Sequence, residues 1–254
     1  MPGQSRASPS GYLVDVVAPT TRSLGNIVGV IRHRLLVNRL ADPAEVASRL
    51  PSGVRPHVTA SGGVIVGCCL IRIDSTRPWP VPKMFGSTLR AAAHRISVET
   101  GSEDSPTRAV YVPCRHTDSA LPVMVGGRIF PGVHQRAEID VAQTDRSLAW
   151  SVRGRGPTPV DGGIDRFDIA VEADVTTETK ATSDIAEIVV GTVLGLSPKR
   201  SHGSLEGADM CLADLSAQRV ELRTIESDFL DSFETAVPAE SFLMTDVDVT
   251  WRRS

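Results

Sequence analysis

Lysine is scarce in this chain: of 27 basic residues only Lys83, Lys180 and Lys199 carry an amine. Any chemistry that runs through an imine therefore has three side chains to choose from. Cysteine offers no framework. Cys68 and Cys69 are adjacent while Cys114 and Cys211 stand apart, which is neither a CxxC zinc pattern nor the dense pairing of a disulfide-stapled domain, and the thiols are expected to be reduced. The six histidines, at 33, 57, 94, 116, 134 and 202, show no HxH or HExxH spacing, so neither a metal nor a cofactor is expected.

Charge of one sign is missing as well. The formal net charge is −3, with 27 basic residues dispersed among 30 acidic ones, and nucleic acid is excluded as a partner on that ground. No apolar run approaches the roughly 20 residues of a membrane span. The opening MPGQSRASPSGYLVDVV lacks a basic stretch followed by a long apolar one, and the expected setting is the cytoplasm with no membrane partner.

What is present is a chain of 254 residues, 41% of them apolar, enough to bury a sizeable core. Residues 1–11, rich in Ser, Pro and Gly, read as a disordered N-terminus, and 12–254 as a single domain. GNIVGVIRHRLLVNRL and GGVIVGCCLIRID read as long apolar strands, the second a buried central one. Strand-like stretches follow in AAHRISVE, TRAVYVPCR, AEIDVAQ with SLAWSVR, RFDIAVEADV, VELRTIES and ESFLMTDVDVTW, several alternating with period two. DPAEVASRLPSGV predicts a short helix capped by Asp42 with Pro43 in its first turn. TSDIAEIVVGTVLGL predicts a second helix, capped by Ser183 or Asp184 with Ile185, Ile188, Val189 and Val193 on its apolar face, and SPKRSHGSLEGADM a loop.

The most distinctive stretch is TRAVYVPCRHTDSALPVMVGGRIFPGVHQRAEIDV. Its segments Val110 to Pro113, Arg115 to Ser119 and Gly126 to His134 resemble the pattern VY(I/V)PRRxTxS…GGRxFPGxH of an uncharacterised bacterial family in the acetoacetate-decarboxylase-like superfamily. RHRLLVNRLADPAEVASRLPSGVRP, AAHRISVE and FLMTDVDVTW are similar to that family's opening, middle and end. The resemblance implies a mainly β (α+β) fold: a closed, cone-like antiparallel β barrel around an internal pocket, with a few peripheral helices and assembly into homo-oligomers.

In acetoacetate decarboxylases the segment reads GGR, a glycine four residues later, then two adjacent lysines, the first of which forms a Schiff base. Aligned on Gly126, Gly127, Arg128 and Gly132, those lysines fall on Gln135 and Arg136. An amide forms no iminium, so the resemblance implies a protein of this fold that is not a Schiff-base decarboxylase.

The residues around this segment supply other chemistry. His134 and Arg136 share a strand face with Glu138 and Asp140, while Gln135, Ala137, Ile139 and Val141 share the other. If the polar face looks inward, His134 is a general acid or base and Arg128 or Arg136 a clamp for a carboxylate or enolate oxygen. If it looks outward, His134 and Arg136 belong to a solvated face and Gln135 to the interior. Arg115, His116 and Asp118 crowd a turn and either orient an anion or form a His–Asp pair, or else Asp118 and Ser119 merely organise that turn. Glu99, at the end of the strand carrying His94 and Arg95, corresponds loosely to a pocket carboxylate of the decarboxylases; the plainer expectation is a surface ion pair. Lys83 sits in a Pro-rich stretch that reads as an exposed loop.

The expected function is noncovalent acid–base catalysis on a small or polyketide-like carbonyl or carboxylate metabolite, as a lyase, isomerase or cyclase. The alternatives are a protein that binds an acidic metabolite without turnover and a structural module with a filled interior.

Overall fold

The structure is a computed structural model, and it describes residues 26–119, 134–154, 168–176, 180–199 and 204–253. The expected N-terminal disorder over 1–11 and the Gly126, Gly127, Arg128 and Gly132 positions lie outside the described residues.

The chain is mainly β. The strands are β1 (Ile27–Ala41), β2 (Arg55–Pro56), β3 (Val64–Pro78), β4 (Ser87–Thr100), β5 (Thr107–Tyr111), β6 (Arg115–Thr117) and β7 (His134–Gln143), then β8 (Ser147–Gly154), β9 (Ile169–Asp174), β10 (Leu194–Pro198), β11 (Leu205–Leu212), β12 (Gln218–Ser227), β13 (Val237–Pro238) and β14 (Ser241–Arg253). Among the described residues three short α-helices accompany them: α1 (Pro43–Ala47), α2 (Asp184–Gly191) and α3 (Asp228–Asp231).

Pairing closes the sheet on itself twice. One circuit runs β1-β3-β4-β5-β10-β11-β14 and back to β1; the other runs β1-β3-β4-β6-β7-β8-β9-β12-β14 and back to β1. The two circuits share β1, β3, β4 and β14, whose faces are therefore both covered. This is why β3 reads as VIVGCCLI with every one of those positions buried rather than alternating with polar residues, since a strand covered on both sides has no wet face to signal. One core fills the second circuit, with Leu35, Val37, Leu70, Ile139, Trp150 and Val171. The other fills the first circuit, with Ile31, Leu36, Ile71, Phe242 and Met244, and takes Ile188 and Val189 of α2. Each such aliphatic or aromatic side chain contributes on the order of 1.5–3 kcal/mol by leaving water.

Closure needs bent strands, and irregularities supply the bends. The β1–β3 register shifts between Val28 and Val30 and again between Ile31 and His33, and the β3–β4 register shifts between Ile73 and Thr76. Ser75 and Asp246 both adopt a φ of 54°. Arg32, between them on β1, bridges Asp74 at 2.9 Å and Asp246 at 2.8 Å, pinning both bends with one guanidinium.

Asp42 caps α1 through Ala44 and Glu45, and Ser183 caps α2 by accepting from the Ala186 amide. The second helix is shorter than its sequence suggests. The Thr192 hydroxyl bonds back to the Ile188 carbonyl and competes with continuation of the helix, so Leu194–Pro198 becomes β10. The expected loop at 197–210 contains most of β11. The antiparallel pattern is broken in two places, where β5–β10 and β6–β7 pair in parallel.

Candidate functional site

Inside the first circuit lies a cavity of about 140 Å³. A single row of register partners builds one wall. Cys69 on β3 faces Ala93 on β4, Ala93 faces Arg115 on β6, and Arg115 faces His134 on β7. Directly opposed residues point to the same side of a sheet, so all four line the cavity. A second row, Arg34–Ile71–Ala91, runs beside it on β1, β3 and β4, and Arg95 lies two residues beyond Ala93. The alternation Ala91-Ala93-Arg95 supplies the space, because two alanines leave a void that the neighbouring Ile73 and Leu89 wall off with hydrocarbon.

The electrostatics of this cavity are one-sided. Arg34 is 2% exposed, yet its Nε donates to Cys69 Sγ at 3.4 Å and its Nη1 to Met244 Sδ at 3.6 Å, both weak acceptors. Arg95, also buried, donates from Nη2 to the Val189 carbonyl at 3.2 Å, while its Nη1 has no hydrogen-bond partner among the described residues. Arg115 donates from Nη2 to Ser197 Oγ at 2.8 Å, and its Nε has none among them. No Asp or Glu is among the described residues that line the cavity. Desolvation pushes Arg95 down to about 10, helped by repulsion from Arg34 and Arg115. Arg115 falls to about 10 by desolvation too, opposed by Cys69, Cys114 and the Glu206 carboxylate of β11. Both remain cations at neutral pH. These three guanidiniums, buried or partly buried, meet no carboxylate among the described lining residues, and an uncompensated charge inside a protein is costly.

Of the residues singled out in the sequence, the structure brings Arg115 and His134 together at the cavity. Arg136 and Gln135 lie elsewhere, in an open polar groove of about 1020 Å³ with Arg90, Asp118, Glu138 and Arg153. Asp118 does not pair with a histidine there; it accepts from the Arg90 amide at 3.2 Å and Nη1 at 3.1 Å. On β7, Arg136, Glu138 and Asp140 face solvent while Ala137 and Ile139 enter the core, so only the first residue of the polar face, His134, reaches the cavity. His116 is fully buried, its ring edge-on to His94 at 5.6 Å. A Cβ on Gly154 would stand 2.5 Å from that ring, which explains the glycine. Glu99 accepts from His57 Nδ1 at 2.8 Å and pairs with Arg55 at 3.2 Å, at the far end of β4 from Arg90.

All three lysines are exposed, and none lines the cavity. No group of three metal-ligating side chains occurs among the described residues, nor is any described helix long and apolar enough to cross a membrane. Arg34 and Arg95 were not legible as site residues. Arg95 is buried and forms no ion pair among the described residues. The available signal was an arginine at an inward position of an otherwise apolar strand, in RLLV and in AAAHRISV.

Several solved structures share this architecture across nearly the whole chain. Acetoacetate decarboxylase from Legionella pneumophila is 13% identical, with a TM-score of 0.60 over 98% of this chain and 96% of that one. An acetoacetate decarboxylase-like enzyme from Sphingomonas wittichii RW1 is 12% identical, with a TM-score of 0.55 over 97% and 96%. The enduracididine biosynthesis enzyme MppR, in complex with pyruvate, is 16% identical, with a TM-score of 0.54 over 97% and 98%. No family model matches the sequence, and no curated protein matches it.

Proposed function

Starting from an acetoacetate-decarboxylase-like fold whose cavity holds guanidiniums and no amine, we propose that the protein is an enzyme that acts on a small carbonyl-bearing carboxylic acid without a covalent lysine intermediate. The observation that carries this reading is the trio Arg34, Arg95 and Arg115 on one cavity that no carboxylate lines among the described residues. Guanidiniums bind planar carboxylates through paired N–H donors, and in water-poor surroundings they stabilise negative charge as it develops. Structures of the same fold hold pyruvate and a condensation product of pyruvate with an aldehyde, which supports ligands of this chemical type here.

In the proposed mechanism the arginines fix the carboxylate and the carbonyl oxygen, and His134 is the acid–base group. The C–H bond beside the carbonyl breaks, its electron pair forms the enolate C=C, the carbonyl π electrons move to the oxygen held by a guanidinium, and the proton passes to the imidazole. Return of a proton or addition of a second carbonyl then gives isomerisation, elimination or cyclisation, according to the substrate. Exposure of every lysine side chain supports a route that forms no imine. Arg128, outside the described residues, stands as a further candidate for an anion clamp. Arg136, Gln135, Asp118 and His116 lie off this cavity and are not assigned a part in it.

Proton NMR in D2O tests the reading. The C3 protons of pyruvate or 2-oxobutyrate should exchange faster with the protein than with buffer, and the acceleration should disappear in His134→Gln while binding persists. Binding without any accelerated exchange in the native protein would instead make it a receptor for an acidic metabolite.

A further inference from the structure

The cavity holds more positive charge than a single carboxylate answers. Among the described residues the Arg34 side chain donates only to two sulfur atoms, and Arg95 Nη1 and Arg115 Nε have no hydrogen-bond partner, so three cations share one small space. Their backbone anchors are also spread out. Through register partners, Arg34 belongs to the row of Ala91, Arg115 to the row of Ala93, and Arg95 follows two residues later on β4. Those rows span four residues, about 13 Å of strand.

Resting on the acid-binding reading above, we propose that this cavity takes a compact dianion, a short 2-oxo dicarboxylate whose two ends are held by different guanidiniums. Arg115 has the Glu206 carboxylate near it, so a monocarboxylate leaves one of the buried cations Arg34 and Arg95 without a counter-charge, costly in a site of low dielectric. A dicarboxylate answers both. When the proton moves to His134, the ligand passes from two negative charges to three, and Arg115 is the guanidinium left to meet the added charge. Charges arranged in rows along the cavity suit two anionic ends better than the single centre of a phosphate ester. Size points the same way: a dry void of about 150 Å³ admits benzene, and this cavity is about 140 Å³, room for roughly six to ten heavy atoms. Hydrocarbon walls from Ile71, Ile73 and Leu89 offer the middle of the ligand no hydrogen bond and favour a short, unsubstituted spacer.

Thermal-shift titrations of the full chain at constant ionic strength test this, with pyruvate, malonate, oxaloacetate, phosphoglycolate and sulfate as probes. Malonate and oxaloacetate should reach half-saturation at concentrations about tenfold below pyruvate, with sulfate and phosphoglycolate weaker than either. In Arg95→Met that advantage should shrink to about threefold or less, and Arg95→Lys, which keeps the charge, should retain most of it. Equal midpoints for pyruvate and malonate would overturn the dianion and leave the acid site standing. Tightest binding of phosphoglycolate would overturn the dicarboxylate, and no response to any acid would remove both readings together.

Discussion

Arg95 joins the cavity to the helix beside it: its Nη2 donates to the Val189 carbonyl at 3.2 Å, in the last turn of α2, where backbone carbonyls lack helical partners and carry partial negative charge. That carbonyl is one of the few internal answers to the buried positive charge. Arg95→Ala should therefore loosen α2 before it loosens the sheet. Hydrogen exchange read by mass spectrometry should show amides of residues 184–192 exchanging about tenfold faster, roughly the loss of one charge-assisted hydrogen bond, with β1 and β3 unchanged.

Arg34 has only sulfur acceptors, so its charge is a net cost to the unliganded fold. Arg34→Met keeps the volume and removes the charge. It should raise the urea midpoint of the ligand-free protein, by about 1–3 kcal/mol in unfolding free energy, while weakening binding of malonate. A lower midpoint in the variant would show that the guanidinium already has its counter-charge within the fold.

Acid should destabilise the protein before its carboxylates are protonated. His33 is buried, its ring edge-on to Trp150 at 5.5 Å, and its Nε2 has no hydrogen-bond partner. Desolvation, with repulsion from Arg72 next, lowers it from 6.5 to about 4, opposed by Asp74 and Asp246. A base with a depressed folded value binds its proton more readily in the unfolded chain, so stability is complete above about pH 6.5 and falls as the pH drops toward 4. Below 4 this contribution levels off. The shift corresponds to about 3 kcal/mol at most. Buried His94, also held well below its ordinary value by desolvation and the neighbouring His116, adds to the loss. Urea unfolding at pH 7 and pH 4.5 should show it, and His33→Phe should flatten the slope between them.

If no imine forms, borohydride has nothing to trap. Incubation with pyruvate and sodium borohydride should leave the intact mass unchanged, and a variant with Lys83, Lys180 and Lys199 all replaced by arginine should accelerate α-proton exchange as the native chain does. A reduced adduct on any of the three would restore covalent chemistry and sink the proposed mechanism.

The strand content, both short helices with their Asp42 and Ser183 caps, and the buried character of β3 were legible because they depend on local patterns: alternation, capping hydroxyls and carboxylates, and uninterrupted apolar runs. The small number of lysines was legible by counting. β10 and β11 were not, because their Gly-, Ser- and Pro-containing segments carry weak strand signals and are held in the sheet by their neighbours β5 and β14.

The cavity itself belongs to the tertiary structure. Sequence order places His134, Gln135 and Arg136 side by side, yet in the folded chain the first lines the cavity and the other two an open groove. Arg34 and Arg95 are far apart in the chain and look like ordinary strand residues. They meet because two closed circuits share β1, β3 and β4, which buries both faces of those strands and leaves an inward arginine no solvent to reach. Residue types and their local periods are fixed by the chain alone. Which charges end up facing one another without water depends on how the sheet closes, and that is a property of long-range pairing between strands.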